Sequence, residues 1–504
     1  METTEFDVLI VGAGLSGIGA AYHLTKNCPR RSFVILEARE RIGGTWDLFR
    51  YPGVRSDSDM YTLGYSFKPW TGEKSIADGH SIREYIEETA RENGILPKIR
   101  FGRQVVSASF STEEARWTIK VLNKETGEEE TYRAQFLHSC AGYYDYDEGY
   151  TPEYPGRENF KGTFIHPQFW DESLEYDGKR IVIIGSGATA ITLLPSLAER
   201  AAHTVMLQRS PTYLVTLPER DPLRKTLTKY MSEDAAASII RLKNIAGSMA
   251  LYNYTRRFPE AAKRFLIGQI RKRVGDVVDV DEHFTPRYNP WDERLCVVPD
   301  SDLFRSIREG KASVVTDEIE RFVEDGIELK SGNKLEADII ISATGLKLKF
   351  LGGIQVEIDG ETINPADTMT YKGMMCSDVP NLSFVVGYTN ASWTLKADLA
   401  NEYLCRVLNH MEEHGYAIYC PRRDDPRLKE EPLLDLQSGY VKRAAHLMPK
   451  QGSFSPFKLH QNYALDFINF RRSRIDDGYM EFKRAPSLKT KSDQQEAAAA
   501  GRSA

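Results

Sequence analysis

Residues 7–24 read DVLIVGAGLSGIGAAYHL. An apolar, β-rich run comes first, then Gly12-x-Gly14-x-x-Gly17, then apolar residues at helical spacing. Strand, tight turn and helix in that order open a βαβ unit. Gly12 permits the turn, Gly14 lets backbone approach a pyrophosphate, and Gly17 lets the helix pack close to the strand. Ser16 lies in the first turn of that helix, where free N–H groups and the positive dipole end favour phosphates. The next strand, SFVILEA, ends at Glu37. That is about 20 residues beyond Gly17, where a carboxylate can accept both hydroxyls of an adenosine ribose.

The same grammar returns at residues 180–197, RIVIIGSGATAITLLPSL, with Gly185, Ser186, Gly187, Ala188, Thr189 and Ala190 forming the turn. Its following strand ends in Arg209-Ser210, with no acid where the first unit has Glu37. An acid would repel a 2′-phosphate, whereas Arg pairs with one and Ser hydrogen-bonds to it. The first unit therefore reads as an FAD or NAD site and the second as an NADPH site. Two further strands end in small residues, FLHSCAGYY (136–144) and ADIIISATGLK (337–347). Small residues there let backbone pass close to a ligand.

The expected fold is α/β, with two Rossmann-like dinucleotide domains in the manner of glutathione reductase. The order of motifs predicts an FAD-binding domain over 1–150 and 343–486, with an NADP-binding domain over 151–219 and 286–342 inserted into it. Residues 220–285 are rich in Arg and Lys and predict a helical insertion; their basic stretch at 241–273 is read as a solvated face or a substrate-side lid ahead of a membrane contact. Residues 397–415 predict a further amphipathic helix. The tail 487–504 is poor in apolar residues and predicts disorder.

Composition excludes several classes. The chain has 504 residues, 41% hydrophobic and 27% charged, which suits a globular protein of more than one domain. A formal net charge of -6 argues against a general nucleic-acid binder. The six cysteines form no Cys-x-x-Cys pair, which argues against a dithiol redox centre and a zinc ribbon. No metal site is expected. Scattered cysteines and a start that runs straight into a strand point to a cytoplasmic protein.

Residues 41–57, RIGGTWDLFRYPGVRSD, are too Gly-rich for helix and too polar for a core strand, so they predict a shaped loop. Between the two fingerprints lies FKGTFIHPQFWD, residues 160–171. Phe160, Gly162, His166 and Trp170 match F-x-G-x-x-x-H-x-x-x-W, and Gly43, Gly44, Trp46, Tyr51, Pro52, Gly53 and Asp57 match (A/G)-G-x-W-x4-(F/Y)-P-G-x3-D. On these two motifs the chain resembles the type I Baeyer–Villiger monooxygenases of the flavin-containing monooxygenase superfamily, over roughly residues 5–485. NPWDERLCVVPDSDLF and VGYTNASWTLKADL are similar to the ethionamide-activating group among them.

That resemblance implies an activity and a site. NADPH reduces FAD, O2 gives a C4a-peroxyflavin, and one oxygen atom enters a ketone to yield an ester or lactone; sulfides and thioamides are side substrates. Arg294 matches the family's catalytic arginine and Asp57 the carboxylate that pairs with it. A buried arginine needs such a partner. The loop would hold FAD through Gly44, Thr45, Trp46, Asp47 and Leu48 and bring Arg55, Ser56 and Asp57 toward the nicotinamide, with Val105 also on the cofactor. The family's lysine before the arginine is here Glu293, which leaves the 2′-phosphate to Arg209 and Ser210. His166 is read either as a residue that influences domain motion or as a linker histidine, and Trp393 as pocket or core. The alternatives are an S/N-oxygenating flavin monooxygenase, a disulfide reductase (for which a cysteine pair is missing) and a non-catalytic dinucleotide sensor.

Overall fold

The apolar run of the first fingerprint becomes the strand Glu5–Val11, in which Val8, Leu9 and Ile10 are completely buried. A strand hidden on both faces belongs in the middle of a parallel sheet. It pairs in parallel with Phe33–Leu36 on one side and with Glu129–Ser139 on the other. The computed structural model describes residues 4–434 and 438–485, so the expected disordered tail lies outside the described residues.

Glu129–Ser139 serves two kinds of sheet. Residues of its first part pair antiparallel with Arg116–Asn123, and its last residues pair in parallel with Leu382–Phe384. The sheet so formed continues through Arg103–Ser111 to Gln355–Ile358 and Glu361–Ile363, which brings together segments from both ends of the chain. His138 ties the junction. Its ring nitrogens reach Ser383 Oγ at 2.8 Å and Asn401 Oδ1 at 3.0 Å. Burial lowers its pKa to about 4, so the ring is neutral near pH 7.

The second fingerprint builds a separate parallel sheet, in the order Ala312–Thr316, His203–Gln208, Arg180–Ile184, Ile339–Ser342 and Thr163–Ile165. The two passages of the chain between the sheets run side by side, Tyr144–Gly149 pairing antiparallel with Leu346–Leu348. Within 220–285 lie the long helices Glu233–Arg257 and Pro259–Val274. Pro259 starts the second at a position where its missing N–H costs nothing. Arg241 at the root of the first donates to the carbonyls of Tyr61 and Gly64, each at 2.7 Å, which fastens this excursion to the first half of the chain. Among the described residues no helix is long and apolar enough to cross a membrane.

The expected helix at 397–415 runs from Trp393 to His414 and is closed by Gly415 at φ 68°. It packs on the first fingerprint helix, Leu15–Asn27, within the same core. Lys396 on it meets Asp466 at 2.7 Å, with both side chains about 5% exposed or less. Asp466 also accepts from Tyr388 Oη at 2.8 Å. Removing one partner of such a pair strands the other charge in the interior. Lys396→Met is therefore expected to lower the urea-unfolding midpoint, at a cost of about 3–5 kcal/mol. Lys396→Met/Asp466→Leu should recover a large part of that loss; equal midpoints for the parent and the single variant would contradict the account.

Candidate active site

Both fingerprint turns are shaped by contacts that only glycine permits. Gly12 has φ 97°, and a Cβ there would lie 2.8 Å from the Cys140 carbonyl oxygen. A Cβ on Gly17 would sit 1.9 Å from the Gly12 carbonyl oxygen, so the helix can approach its own strand only without a side chain. The helix begins at Gly14 with no side-chain cap. The second helix, Ala188–Leu197, begins at Gly187, again uncapped, and a Cβ on Gly187 would meet nothing within 4 Å. Uncapped starts leave N–H donors waiting for a partner. Both open onto one cleft of about 1040 Å³ that Gly12, Gly14 and Ser16 line together with Gly185 to Thr189. Gly17 and Ala190 stand behind the wall, where they set helix packing.

Glu37 lies on the same wall and is 5% exposed. Burial pushes its carboxyl up, while the backbone N–H groups of Ala13 (2.7 Å) and Arg39 (2.9 Å) hold one oxygen each. Each oxygen keeps a lone pair for a further donor such as a ribose hydroxyl. Val105 also faces the cleft, beside a register shift in its strand that re-aims the side chains there.

The loop 41–57 closes the cleft from below. Gly44 backs onto Gly14, with a notional Gly14 Cβ 3.5 Å from Gly44 Cα. Thr45 and Trp46 reach the wall, and Thr45 Oγ1 is 3.3 Å from Tyr146 Oη. Asp47 and Leu48 do not. Asp47 turns away into a cluster of arginines: Arg39 at 2.6 Å, Arg50 at 3.3 Å, Arg41 and Arg83 at 3.5 Å. Burial raises its carboxyl, but Arg39 above all, with Arg41 and Arg50, brings it below the ordinary carboxylate value. Its work is to pin the loop. Leu48 packs as a buried apolar side chain. The Tyr-Pro-Gly turn then crosses to the second sheet, where Gly53 approaches the helix Ala188–Leu197 so closely that a Cβ would fall 1.9 Å from Ser196 Oγ.

The end of the loop meets the segment around Arg294. Arg55, Ser56, Asp57 and Arg294 all line the cleft. Arg55 pairs with Asp302 at 2.5 Å. The direct Asp57–Arg294 pairing that the resemblance implies is not formed among the described residues. Arg294 instead donates from Nη2 to Tyr143 Oη at 3.2 Å. Asp57 acts on Arg294 through charge across the gap: burial raises the Asp57 carboxyl, and Arg294 followed by Arg55 opposes that rise. Arg294 is driven well above its ordinary value, by Tyr143 first and by Tyr440, Tyr144 and Asp57 after it, against the effect of burial. Sequence reasoning missed these tyrosines; FLHSCAGYY was read for its small residues, and its two tyrosines were the available signal.

Arg209 and Ser210 stand exposed at the far end of the cleft, and Ser186 Oγ donates to the Ser210 carbonyl at 2.9 Å. Glu293 shares this end. Burial raises its carboxyl, while Lys442 and Arg209 pull it down. Trp393 is both readings at once: its ring lies against Gly387, it lines the cleft, and Nε1 donates to Ser16 Oγ at 2.8 Å. His166 is off the wall. Its Nδ1 accepts from the Gln168 N–H at 3.2 Å and Nε2 donates to the Gly345 carbonyl at 3.1 Å, which fixes a neutral ring between the two sheet connections. Trp170 packs edge-on to Tyr176, away from the cleft.

Two fingerprint turns facing one cleft, joined by a shaped loop and a half-buried arginine, define a two-nucleotide flavoenzyme architecture. Comparison with known proteins gives the family. Residues 10–69 match the NAD(P)-binding Rossmann-like domain and residues 73–220 the flavin-binding monooxygenase-like family. The FAD-containing monooxygenase EthA of Mycobacterium tuberculosis is 50% identical over 486 residues, 96% of this chain and 99% of that one. The chain belongs to the flavin-binding monooxygenase family. Its fold is shared with an oxidized steroid monooxygenase bound to NADP, at 23% identity and a TM-score of 0.75 over 95% of this chain and 100% of that chain. A cyclohexanone monooxygenase with ε-caprolactone bound superposes with a TM-score of 0.72 at 21% identity, over 95% of this chain and 100% of that chain.

Gly17→Val is expected to lower the thermal midpoint sharply, because its side chain collides with backbone rather than with a movable side chain. Gly247→Ala is the contrast: it lies inside the helix Glu233–Arg257 with open space around a Cβ, and should hold or raise the midpoint, by up to about 1 kcal/mol. Equal behaviour of the two variants in calorimetry would contradict the role given to the first turn.

Proposed function

We propose that this chain is an FAD-dependent, NADPH-consuming Baeyer–Villiger monooxygenase that inserts one oxygen atom of O2 into a ketone and releases an ester or lactone. The observation that carries the reading is the single cleft onto which both fingerprint turns, Asp57 and Arg294 open. On this reading residues 1–150 and 343–486 hold FAD, and residues 151–219 and 286–342 hold NADP. FAD, when bound, would supply two-electron transfer from NADPH to O2.

The chain's own residues bind and orient. The N–H groups at the start of Leu15–Asn27 take the FAD pyrophosphate and Glu37 takes the ribose hydroxyls. Gly44, Thr45, Trp46 and Val105 would follow the cofactor. Gly185 to Thr189 take the NADP pyrophosphate, and Arg209 with Ser210 takes the 2′-phosphate. A carbonyl under attack gathers negative charge on its oxygen, and a fixed cation in a site shielded from water stabilises that charge strongly. Arg294 is that cation. Asp57 opposes the half-buried charge without capping the guanidinium, which leaves it free for the substrate oxygen. Free, buried cysteines fit a protein of the reducing cytoplasm.

The test is NADPH oxidation by the flavin-loaded protein with linear, cyclic and aryl ketones and, in parallel, sulfides, with products identified. Ester or lactone formation is expected. Sulfoxide without ester would favour an S/N-oxygenating monooxygenase instead. In Arg294→Ala, flavin reduction by NADPH should survive while ester formation falls about 100-fold or more, the scale for losing one preorganised charge stabiliser. Retained ester formation would remove Arg294 from its role.

A further inference from the structure

The partner of Arg294 is a tyrosine, and this has a stereochemical consequence. A guanidinium has donors and no acceptor. In its 3.2 Å contact with Arg294 Nη2, the Tyr143 oxygen must therefore accept. The phenol's own proton is left to point elsewhere. Arg294 is the donor to the Tyr143 hydroxyl, and the neighbouring Tyr144 hydroxyl is a second polar group within its reach. Tyr143 is 6% exposed, and it lines the cleft beside Arg294.

Its ring is held on two sides. Tyr143 lies 4.7 Å from the Tyr144 ring and 5.3 Å from the Trp393 ring, centroid to centroid. Trp393 is itself fastened to Ser16 at the first fingerprint. The hydroxyl is thus placed by packed neighbours beside the half-buried Arg294 cation on the cleft wall. A phenol that accepts from a cation is also polarised toward donating.

We propose that Tyr143 is a second donor at the Arg294 site: its O–H hydrogen-bonds the substrate oxygen on which negative charge develops. This rests on the ketone reading for the identity of that oxygen, but the site itself is an oxyanion site made of one charged and one neutral donor. Tyr144 also lines the cleft and is the nearest rival phenol.

Tyr143→Phe removes the hydroxyl and keeps the ring that packs on Trp393. Benzoate, titrated calorimetrically into the oxidised, flavin-loaded protein, serves as an oxyanion probe independent of turnover. Tyr143→Phe should bind it about tenfold more weakly while staying folded and flavin-loaded, the scale of one hydrogen bond to a charged group. In turnover with a ketone, kcat should fall about tenfold or more while flavin reduction by NADPH holds. The double variant Tyr143→Phe/Arg294→Ala should be little worse than Arg294→Ala alone, because the two donors serve one oxygen. Benzoate binding that is absent from the parent or equal in parent and Tyr143→Phe overturns the proposal, as does a loss that follows Tyr144→Phe instead. A parent that makes no ester from any ketone defeats the ketone reading, and the benzoate titration still decides the role of Tyr143.

Discussion

The helices Leu15–Asn27 and Ala188–Leu197 each begin at a glycine without a side-chain cap, and both beginnings open onto one cleft. The first turn of any helix leaves N–H groups unpaired, and most helices satisfy some of them with Ser, Thr, Asp or Asn at the cap. Here glycine stands at both caps. An anion supplies the missing acceptors better than water does, and a dinucleotide pyrophosphate is such an anion. Much else follows from that demand. Gly12 and Gly17 carry no side chain because backbone must pass backbone at the turn, and Gly44 is drawn up against Gly14 to complete the floor. The loop 41–57 has to be rigid to do this, and the arginines around Asp47 make it so.

The second constraint is electrostatic. Arg294 is a half-buried cation on the wall of the cleft, and it is not neutralised by a direct ion pair among the described residues. It is surrounded by phenols, Tyr143, Tyr144 and Tyr440, with Asp57 acting across the gap. Asp57 opposes the charge from across the gap, while the neutral phenols offer hydrogen-bonding groups and leave the guanidinium's reach free. A direct carboxylate clamp would stabilise the fold more and leave less for a negatively charged oxygen in the cleft.

The residues differed in how far sequence could reveal them. The fingerprint glycines and Glu37 were legible because their spacing is local: strand, turn, helix and next strand follow each other within a few dozen residues. Asp57 and Arg294 lie far apart in the chain, and only the family resemblance joined them. It joined them too closely, since it says nothing of Tyr143, which takes the hydrogen bond. Asp47 was assigned to the cofactor because it stands in the right loop. Its true neighbours include Arg83, which arrives from the helix Gly79–Glu92, a contact no local pattern predicts. Glu293 was visible as a departure, but the charges that face it, Arg209 and Lys442, come from two distant segments.

The central claim is that the cleft brings reduced flavin, O2 and a ketone together so that one atom of O2 ends in the product. Turnover of a ketone under oxygen-18 gas tests this most directly, with the ester examined by mass spectrometry. The account predicts an ester that carries one heavy oxygen atom, formed in step with NADPH consumed. An ester with no label, or NADPH consumed with all the heavy oxygen recovered as hydrogen peroxide and water, would contradict it.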